Sequence, residues 1–558
     1  MISSEGVIGK EKIAYFSMEI GLTNDIHTYS GGLGVLAGDT IKASADLNLP
    51  LVAVTLVSKK GHFRQELDAQ GRQTEHPEGW DPFRYMMPLS TEVTVKIENR
   101  DVKIKTWLYN YQSMIGVTIP ILFLDTDVEG NAPQDREITH HLYARDEQYR
   151  LKQEIILGIG GLRMLDALGY KVRKYHMNEG HSSLLTLELL HKYEMDVEKV
   201  REMCIFTTHT PVEAGHDKFS HSLVEQLMDE NTDMEALKRF GGSDRLNMTL
   251  LALNLSRYVN GVTKRHREVS AKLFPGYHIH SITNGVHSYN WTSTPFRKLY
   301  DQYLPGWAKD PELLVRIDGI PDEEIWQAHR ESKKNLIDYV NRKTGAGMDY
   351  ETLTIGFARR ATEYKRTNLL FSDLARLKKI NKKGKIQLVF AGKAHPKDMK
   401  GKKLIEEVFG YINELKNEIK IAYLENYDMD IASKMVSGVD IWLNTPQRPF
   451  EASGTSGMKA AHNGVVNFSV LDGWWIEGWI EGVNGWSIGP EPEEILSVEE
   501  SKTRELDDLY SKLEYIIIPM YYKRKDEWTK MMNSSIGTIA YYFNSHSMMR
   551  RYVTEAYL

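Results

Sequence analysis

Short runs of β-branched and aromatic residues alternate with stretches of helical spacing along nearly the whole chain. In the first half the apolar runs predict strands near Ile13–Ser17, Leu51–Leu56, Val102–Tyr109, Ile119–Leu124, Lys174–Met177 and Cys204–Thr207. In the second half they predict strands near Leu353–Ala358, Ile386–Ala391, Ile419–Leu424, Val439–Leu443 and Val465–Val470. Several runs end in Gly, Asn, His, Ser or Thr and pass straight into a helical pattern, as strands of a parallel sheet covered by helices do. Two such series predict an α/β protein of two doubly wound domains facing across a cleft. In open sheets of this kind, ligands lie at the carboxyl ends of the strands, where the strand order switches. The irregular stretch after Asn284, with Trp291 and Pro295 in it, marks the expected boundary. The expected domains are residues 1–290 and 291–535, with residues 536–558 forming a C-terminal helix that packs back on the first domain.

Composition narrows the function classes. The chain has 558 residues, 41% hydrophobic and 26% charged, which is ample for a sizeable core. A net charge of −6, without a concentrated basic face, argues against a nucleic-acid partner. The basic run from Lys378 to Lys403 reads as the solvated side of a helix and a loop. No apolar stretch is long enough for a membrane helix, and the N-terminus has no signal-peptide pattern. With Cys204 alone, no intrachain disulfide can form, which suits a reducing cytoplasm. The 19 histidines include no H-E-x-x-H and no Cys/His cluster, so no metal site is expected.

Two segments carry candidate chemistry. Tyr29-Ser30-Gly31-Gly32-Leu33-Gly34 precedes a helical stretch from Leu36 to Leu47, so bare backbone amides could approach an anion there. The pattern is neither a dinucleotide fingerprint nor a P-loop, and a tight strand-to-helix turn explains it equally. Glu451-Ala-Ser453-Gly454-Thr455-Ser456-Gly457-Met-Lys459 would open a helix with small and hydroxyl residues. A lysine within its first turn could form a Schiff base with an aldehyde-bearing phosphate; otherwise the segment is a capped helix with a surface lysine.

That second segment resembles the cofactor-lysine motif of the glycogen/maltodextrin phosphorylase family. Other stretches resemble the family in the same order along the chain: Arg150-Leu-Lys-Gln-Glu154, Thr208-His209-Thr210, Thr283-Asn284-Gly285-Val286 ending at Trp291, Ile355 to Arg366, and Leu424-Glu-Asn-Tyr427. The resemblance implies two Rossmann-like domains of the GT-B glycosyltransferase type. It implies pyridoxal 5′-phosphate covalently bound as a Schiff base at Lys459. Thr455, Gly454, Gly32, Leu33, Tyr427 and Trp291 are then cofactor-side residues. Arg360, Lys365, His209, Glu451 and Asn284 become the catalytic candidates. Ser453, Gly454, Gly31, Arg359, Glu179, His181 and Asp146 become substrate-binding candidates. The implied reaction is reversible phosphorolysis, with retention, of terminal α-1,4-linked glucose to α-D-glucose 1-phosphate. Inorganic phosphate and an α-1,4-glucan are the partners, and a cytoplasmic homodimer is the implied state.

The chain also departs from the long members of that family. It has no room for their N-terminal phosphorylation segment and effector surface, so neither is expected; the compact bacterial and archaeal branch is the nearer likeness. Leu142–Asp146 stands in for a longer gate loop, Arg359 for a common lysine, and Ser456-Gly457 for Gly-Asn. Two alternatives stay open here: a nucleotide-sugar glucosyltransferase, which has no reason for the lysine segment, and an inactive glucan-binding protein, which would carry no cofactor.

Overall fold

The computed structural model describes residues 11–114, 116–143, 146–494 and 496–558. Met1–Lys10 and, within the Leu142–Asp146 stretch, Ala144 and Arg145 lie outside the described residues. The chain forms two compact units. One comprises the chain to Phe63, Pro77–Thr283 and Met548–Leu558; the other comprises Arg64–His76 and Asn284–Ser547.

The first unit is built on a nine-stranded sheet. Its strands run in the order His280–Ser281, Tyr258–Gly261, Cys204–Thr207, Val172–Asn178, Lys12–Ser17, Leu51–Leu56, Thr118–Asp125, Arg100–Gln112 and Met87–Ile97. The first seven are parallel, and the last two form an antiparallel hairpin on one edge. All six residues of Leu51–Leu56 are buried, as expected for a strand covered by helices on both faces. The edge strand Met87–Ile97 escapes the apolar pattern because only Val95 and Ile97 of it are buried. Tyr258–Gly261 is fully buried but only four residues long, too short for periodicity to reveal.

The chain order of this sheet reverses at Lys12–Ser17, which lies between Leu51–Leu56 and Val172–Asn178. Helix Gly32–Asp46 follows the first strand, with every residue from Gly34 to Ala45 buried. The C-terminal segment completes this unit's core. Tyr557 Oη bonds His176 Nδ1 at 2.7 Å, and Tyr552 Oη lies 3.1 Å from Thr207 Oγ1 and accepts from Asn260 Nδ2 at 3.1 Å.

The second unit holds a six-stranded, wholly parallel sheet. Its order is Lys420–Leu424, Ile386–Ala391, Leu353–Ala358, Ile441–Asn444, Val466–Val470 and Gly485–Ile488. Chain order switches between Leu353–Ala358 and Ile441–Asn444, so residues just beyond their carboxyl ends are where a ligand is expected. The hairpin Arg64–Leu67/Gln73–His76 belongs to this unit. Gln65 N donates to Asn426 Oδ1 at 3.0 Å, and Gln73 Nε2 donates to the Ala394 carbonyl at 2.8 Å. The basic run lies on the surface: Lys378 pairs with Glu418 and Lys383 with Glu514.

The C-terminal helical pattern breaks at Tyr541–Asn544. There the backbone pairs with the Thr-Asn-Gly stretch: Val286 N donates to Phe543 O at 3.2 Å and Ser545 N to Val286 O at 2.8 Å. Gly285 is required by this crossing, because a Cβ there would stand 2.2 Å from Asn544 O.

Candidate functional site

In the second unit the lysine segment lies beyond strand Ile441–Asn444 and opens the helix Ser456–Ala461. Lys459 is 7% exposed, and its Nζ lies 3.9 Å from the centre of the Trp291 ring. The Trp291 turn is clasped to this helix. Asn463 Nδ2 donates to Trp291 O at 2.8 Å, and His462 Nε2 lies 2.9 Å from Ser288 Oγ. Gly457 is small of necessity, since a Cβ would meet Asn467 Oδ1 at 2.2 Å. Gly454 adopts φ +71, and the Thr455 side chain caps nothing at the helix start. Asn284 is buried, with no partner for its Oδ1 among the described residues.

In the same unit, two cations meet one carboxylate. Lys365 Nζ donates to both oxygens of Glu451, at 2.9 and 2.7 Å, and Arg359 Nη2 donates to Oε2. Glu451 N is held by Asp472 Oδ2 at 2.9 Å. Burial would raise the Glu451 carboxyl, but the Arg359 and Lys365 charges outweigh it and hold the group at about 2. Two cations and one carboxylate leave one net positive charge in a dry setting. Arg359 Nη1 is buried with no partner among the described residues, so one donor already stripped of water remains for a further anion. Of the two neighbouring arginines, Arg359 is thus the one turned inward; Arg360 is exposed, and its charge acts on His395. Tyr427 lies within reach of the Arg359 charge. Ser453 is buried, its Oγ donating to Gly454 O at 3.1 Å.

In the first unit a second polar group gathers at the carboxyl ends of the strands, where chain order reverses. Asn178 Nδ2 donates to Ser17 Oγ at 3.0 Å, which turns Asn178 Oδ1 toward His209 Nε2, 2.7 Å away. An amide oxygen only accepts, so His209 carries its proton on Nε2 and presents Nδ1 as an acceptor. Burial lowers the His209 ring to about 3, keeping it neutral. Glu179, at φ +74, accepts from His209 N at 2.7 Å, Thr210 Oγ1 at 3.0 Å and Gly180 N at 3.2 Å. His181 is also lowered to about 3 by burial and then by Arg150, and lies 3.6 Å from Asp217. Arg150 bridges Asp217 and the fully buried Glu154, at 2.9 and 3.0 Å. Burial first, and then Asp217, raise the Glu154 carboxyl well above its ordinary value.

Burial pushes the Glu179 carboxyl up from 4.5 to about 6, against the three donors that favour its ionised form. A carboxyl raised on folding stabilises the fold below its unfolded value, and that contribution is lost as pH rises through the folded value. Between pH 4.5 and 7, ionisation of Glu179 therefore destabilises the first unit by about 2 kcal/mol. Denaturant midpoints of Glu179→Gln and wild type should diverge in the variant's favour as pH rises across that window. A constant difference from pH 4.5 to pH 7 would refute this assignment.

The glycine-rich loop faces open space at Gly31 and Gly32, where an added Cβ meets nothing within 4 Å. Gly32 and Leu33 open helix Gly32–Asp46. Asp146 stands apart from these groups: it is exposed and caps helix Glu147–Ile155, accepting from Tyr149 N at 2.8 Å. Sequence reasoning passed over two participants, Glu19 and Asp472. Each lies at or just beyond the carboxyl end of a sheet strand, which is the signal that could have found them.

Comparison with known proteins gives a consistent result. Residues 185–517 match the model of the carbohydrate phosphorylase family. The chain is 40% identical to the maltodextrin phosphorylase of Thermococcus litoralis, over 98% of this chain and 70% of that one. It is 35% identical to the glycogen phosphorylase of Aquifex aeolicus, over 98% of this chain and 86% of the other. An uncharacterised protein of Methanocaldococcus jannaschii is 32% identical over 98% of this chain and 99% of its own length.

Proposed function

The chain belongs to the carbohydrate phosphorylase family, and from that premise we propose that it phosphorolyses terminal α-1,4-linked glucose of maltodextrin- or glycogen-type chains to α-D-glucose 1-phosphate, with retention, using pyridoxal 5′-phosphate on Lys459. The observation that carries this reading is the buried Lys459 amine against Trp291, in the unit that also holds the Arg359–Lys365–Glu451 cluster. A buried amine, an aromatic face, a positive-φ glycine, a hydroxyl that caps nothing and a guanidinium N–H without a partner among the described residues fit an aldehyde-bearing phosphate. Lys459 would hold the group covalently, with Thr455, Gly454, Tyr427 and Trp291 around it. When bound, it supplies a phosphate that exchanges a proton with the substrate phosphate.

The remaining steps fall to this chain's own side chains. Arg359 and Lys365 lower the repulsion between neighbouring phosphates, which for unit charges 4 Å apart is about 4 kcal/mol at an effective dielectric of 20. Arg360, exposed as it is, serves as a further cation for the substrate phosphate. Glu451, ionised at any physiological pH, accepts hydrogen bonds from sugar hydroxyls, as does the orphaned Oδ1 of Asn284. His209 offers an acceptor nitrogen to a hydroxyl and, being neutral, does not repel an oxocarbenium-like sugar. Ser453, Glu179, His181, Asp146 and Gly31 remain substrate-side candidates, and Gly32 and Leu33 offer amides to phosphate. No paired-carboxylate acid and nucleophile is required, unlike most glycoside hydrolases.

The same reading makes the protein a cytoplasmic homodimer, which light scattering on the purified chain would test. The function itself is tested with maltoheptaose, with and without inorganic phosphate, by measuring glucose 1-phosphate. Phosphate-dependent product is the expected result. Its absence from cofactor-loaded protein would exclude this glucan as substrate, and its absence from protein that binds no cofactor would overturn the reading.

A further inference from the structure

Glu19 is 3% exposed, lies two residues beyond strand Lys12–Ser17, and takes no part in the proposed chemistry above. Its carboxylate reaches into the glycine-rich loop. Oε2 accepts from Ser30 N at 2.6 Å, Gly31 N at 3.2 Å and Ser30 Oγ at 3.4 Å. Oε1 accepts from Tyr143 Oη at 2.7 Å. Tyr143 lies in turn beneath the Arg150 guanidinium, 4.8 Å from its ring centre, and Arg150 is fixed by Asp217 and Glu154.

The loop's glycines divide by cause. Gly34 has no room for a side chain: a Cβ would stand 2.8 Å from Glu19 Oε2 and 2.6 Å from Tyr29 Cβ. Gly31 and Gly32 have room, and nothing within 4 Å explains why they are bare. One glycine thus admits the Glu19 carboxylate, and two keep the opposite side of the loop open. We propose that Glu19 is a positioning residue: by tying down Ser30 N and Gly31 N, it presents the next two amides, of Gly32 and Leu33, to an anionic oxygen of the phosphate class. This inference rests on the phosphorylase reading for the identity of that anion.

Charge and geometry make opposite demands, which makes the idea testable. A carboxylate beside a phosphate site repels the phosphate, while its hydrogen bonds shape the loop that receives it. Glu19→Gln keeps an acceptor oxygen for both amides and removes the charge. Glu19→Ala removes both. Tyr143→Phe removes only the hydroxyl that aims the carboxylate.

The experiment is calorimetric titration of inorganic phosphate into the full-length holoprotein and its variants, with KM for phosphate and for maltoheptaose measured in parallel. Glu19→Ala should weaken phosphate binding about 10-fold while leaving the maltoheptaose KM within about twofold. Glu19→Gln should bind phosphate as tightly as wild type or tighter. Tyr143→Phe should weaken phosphate binding about threefold, and it carries the test if Glu19→Ala does not fold. Unchanged phosphate affinity in Glu19→Ala, or in Tyr143→Phe when it stands in, would overturn the proposal, as would equal weakening in Glu19→Gln and Glu19→Ala. Because phosphate binding is read without turnover, an inactive wild type would count against the functional reading and not against this one.

Discussion

Lys459→Ala should purify without cofactor absorbance and lose glucose 1-phosphate formation by at least about 10³-fold, because Lys365, the other amine named in the proposed site, is engaged by both oxygens of Glu451. The reason lies in the setting of the amine. Lys459 is 7% exposed and its Nζ rests 3.9 Å from the Trp291 ring centre, so it is desolvated and aimed by packing rather than by chance. Removing it also removes a cation–π contact, a contribution of about 2 kcal/mol when the cation is desolvated. A fall in melting temperature therefore cannot by itself distinguish chemistry from packing. Lys459→Arg separates them: the guanidinium keeps the charge over Trp291 but does not condense with an aldehyde, so this variant should fold and remain inactive. Activity in Lys459→Arg above about one hundredth of wild type would exclude the covalent assignment.

Asp440→Ala should destabilise the second unit by about 3–5 kcal/mol, since it strands a buried ammonium without its counter-ion. Lys333 is 2% exposed and its Nζ lies 2.6 Å from Asp440 Oδ2. His329 Nε2 lies 2.9 Å from Asp440 Oδ1, and Thr354 N donates to Oδ2 at 2.7 Å. Burial would raise the Asp440 carboxyl, but Lys333 and His329 together hold it below its ordinary value of 3.8. A depressed carboxylate stabilises the fold above that ordinary value, and the contribution is lost as acid protonates it below. The variant's deficit should therefore shrink as pH falls below about 4. This network joins the start of Leu353–Ala358 to the residue before Ile441–Asn444, the ends of those strands away from Arg359 and Lys459. Kinetic constants of the folded variant should stay near wild type. A denaturant shift equivalent to under about 1 kcal/mol would show that Lys333 finds another partner.

How far the chain could be read without coordinates depended on how local each feature is. Leu353–Ala358 and Ile386–Ala391 are six-residue buried runs, and their sequence bounds match the structure. The lysine segment stands out because hydroxyls, glycines and the amine are contiguous. By contrast, nothing local separates Arg359 from Arg360; only the first turns toward Glu451, and that depends on Phe450–Glu451 arriving from elsewhere in the chain. Glu19 has no local signature because its partners are backbone amides 11 and 12 residues away and a tyrosine hydroxyl 124 residues away. The Arg64–His76 hairpin was overlooked for the same reason on a larger scale: it is polar, and its Gln65 answers to Asn426, 361 residues on.

The docking of Tyr552 and Tyr557 around His176 and Thr207 also bears on how the protein is made. The first unit's sheet strands have all been synthesised once Ser281 is made, yet its core closes only with Met548–Leu558. At roughly 5–20 residues per second, translation of the remainder takes on the order of tens of seconds. Throughout that interval the nascent first unit carries an unfilled apolar seam at Ile13, Ile205 and Ile282. The order of synthesis thus makes the second unit the first that can be finished after its own last residue emerges, and a nascent chain stalled before Met548 a client for chaperones.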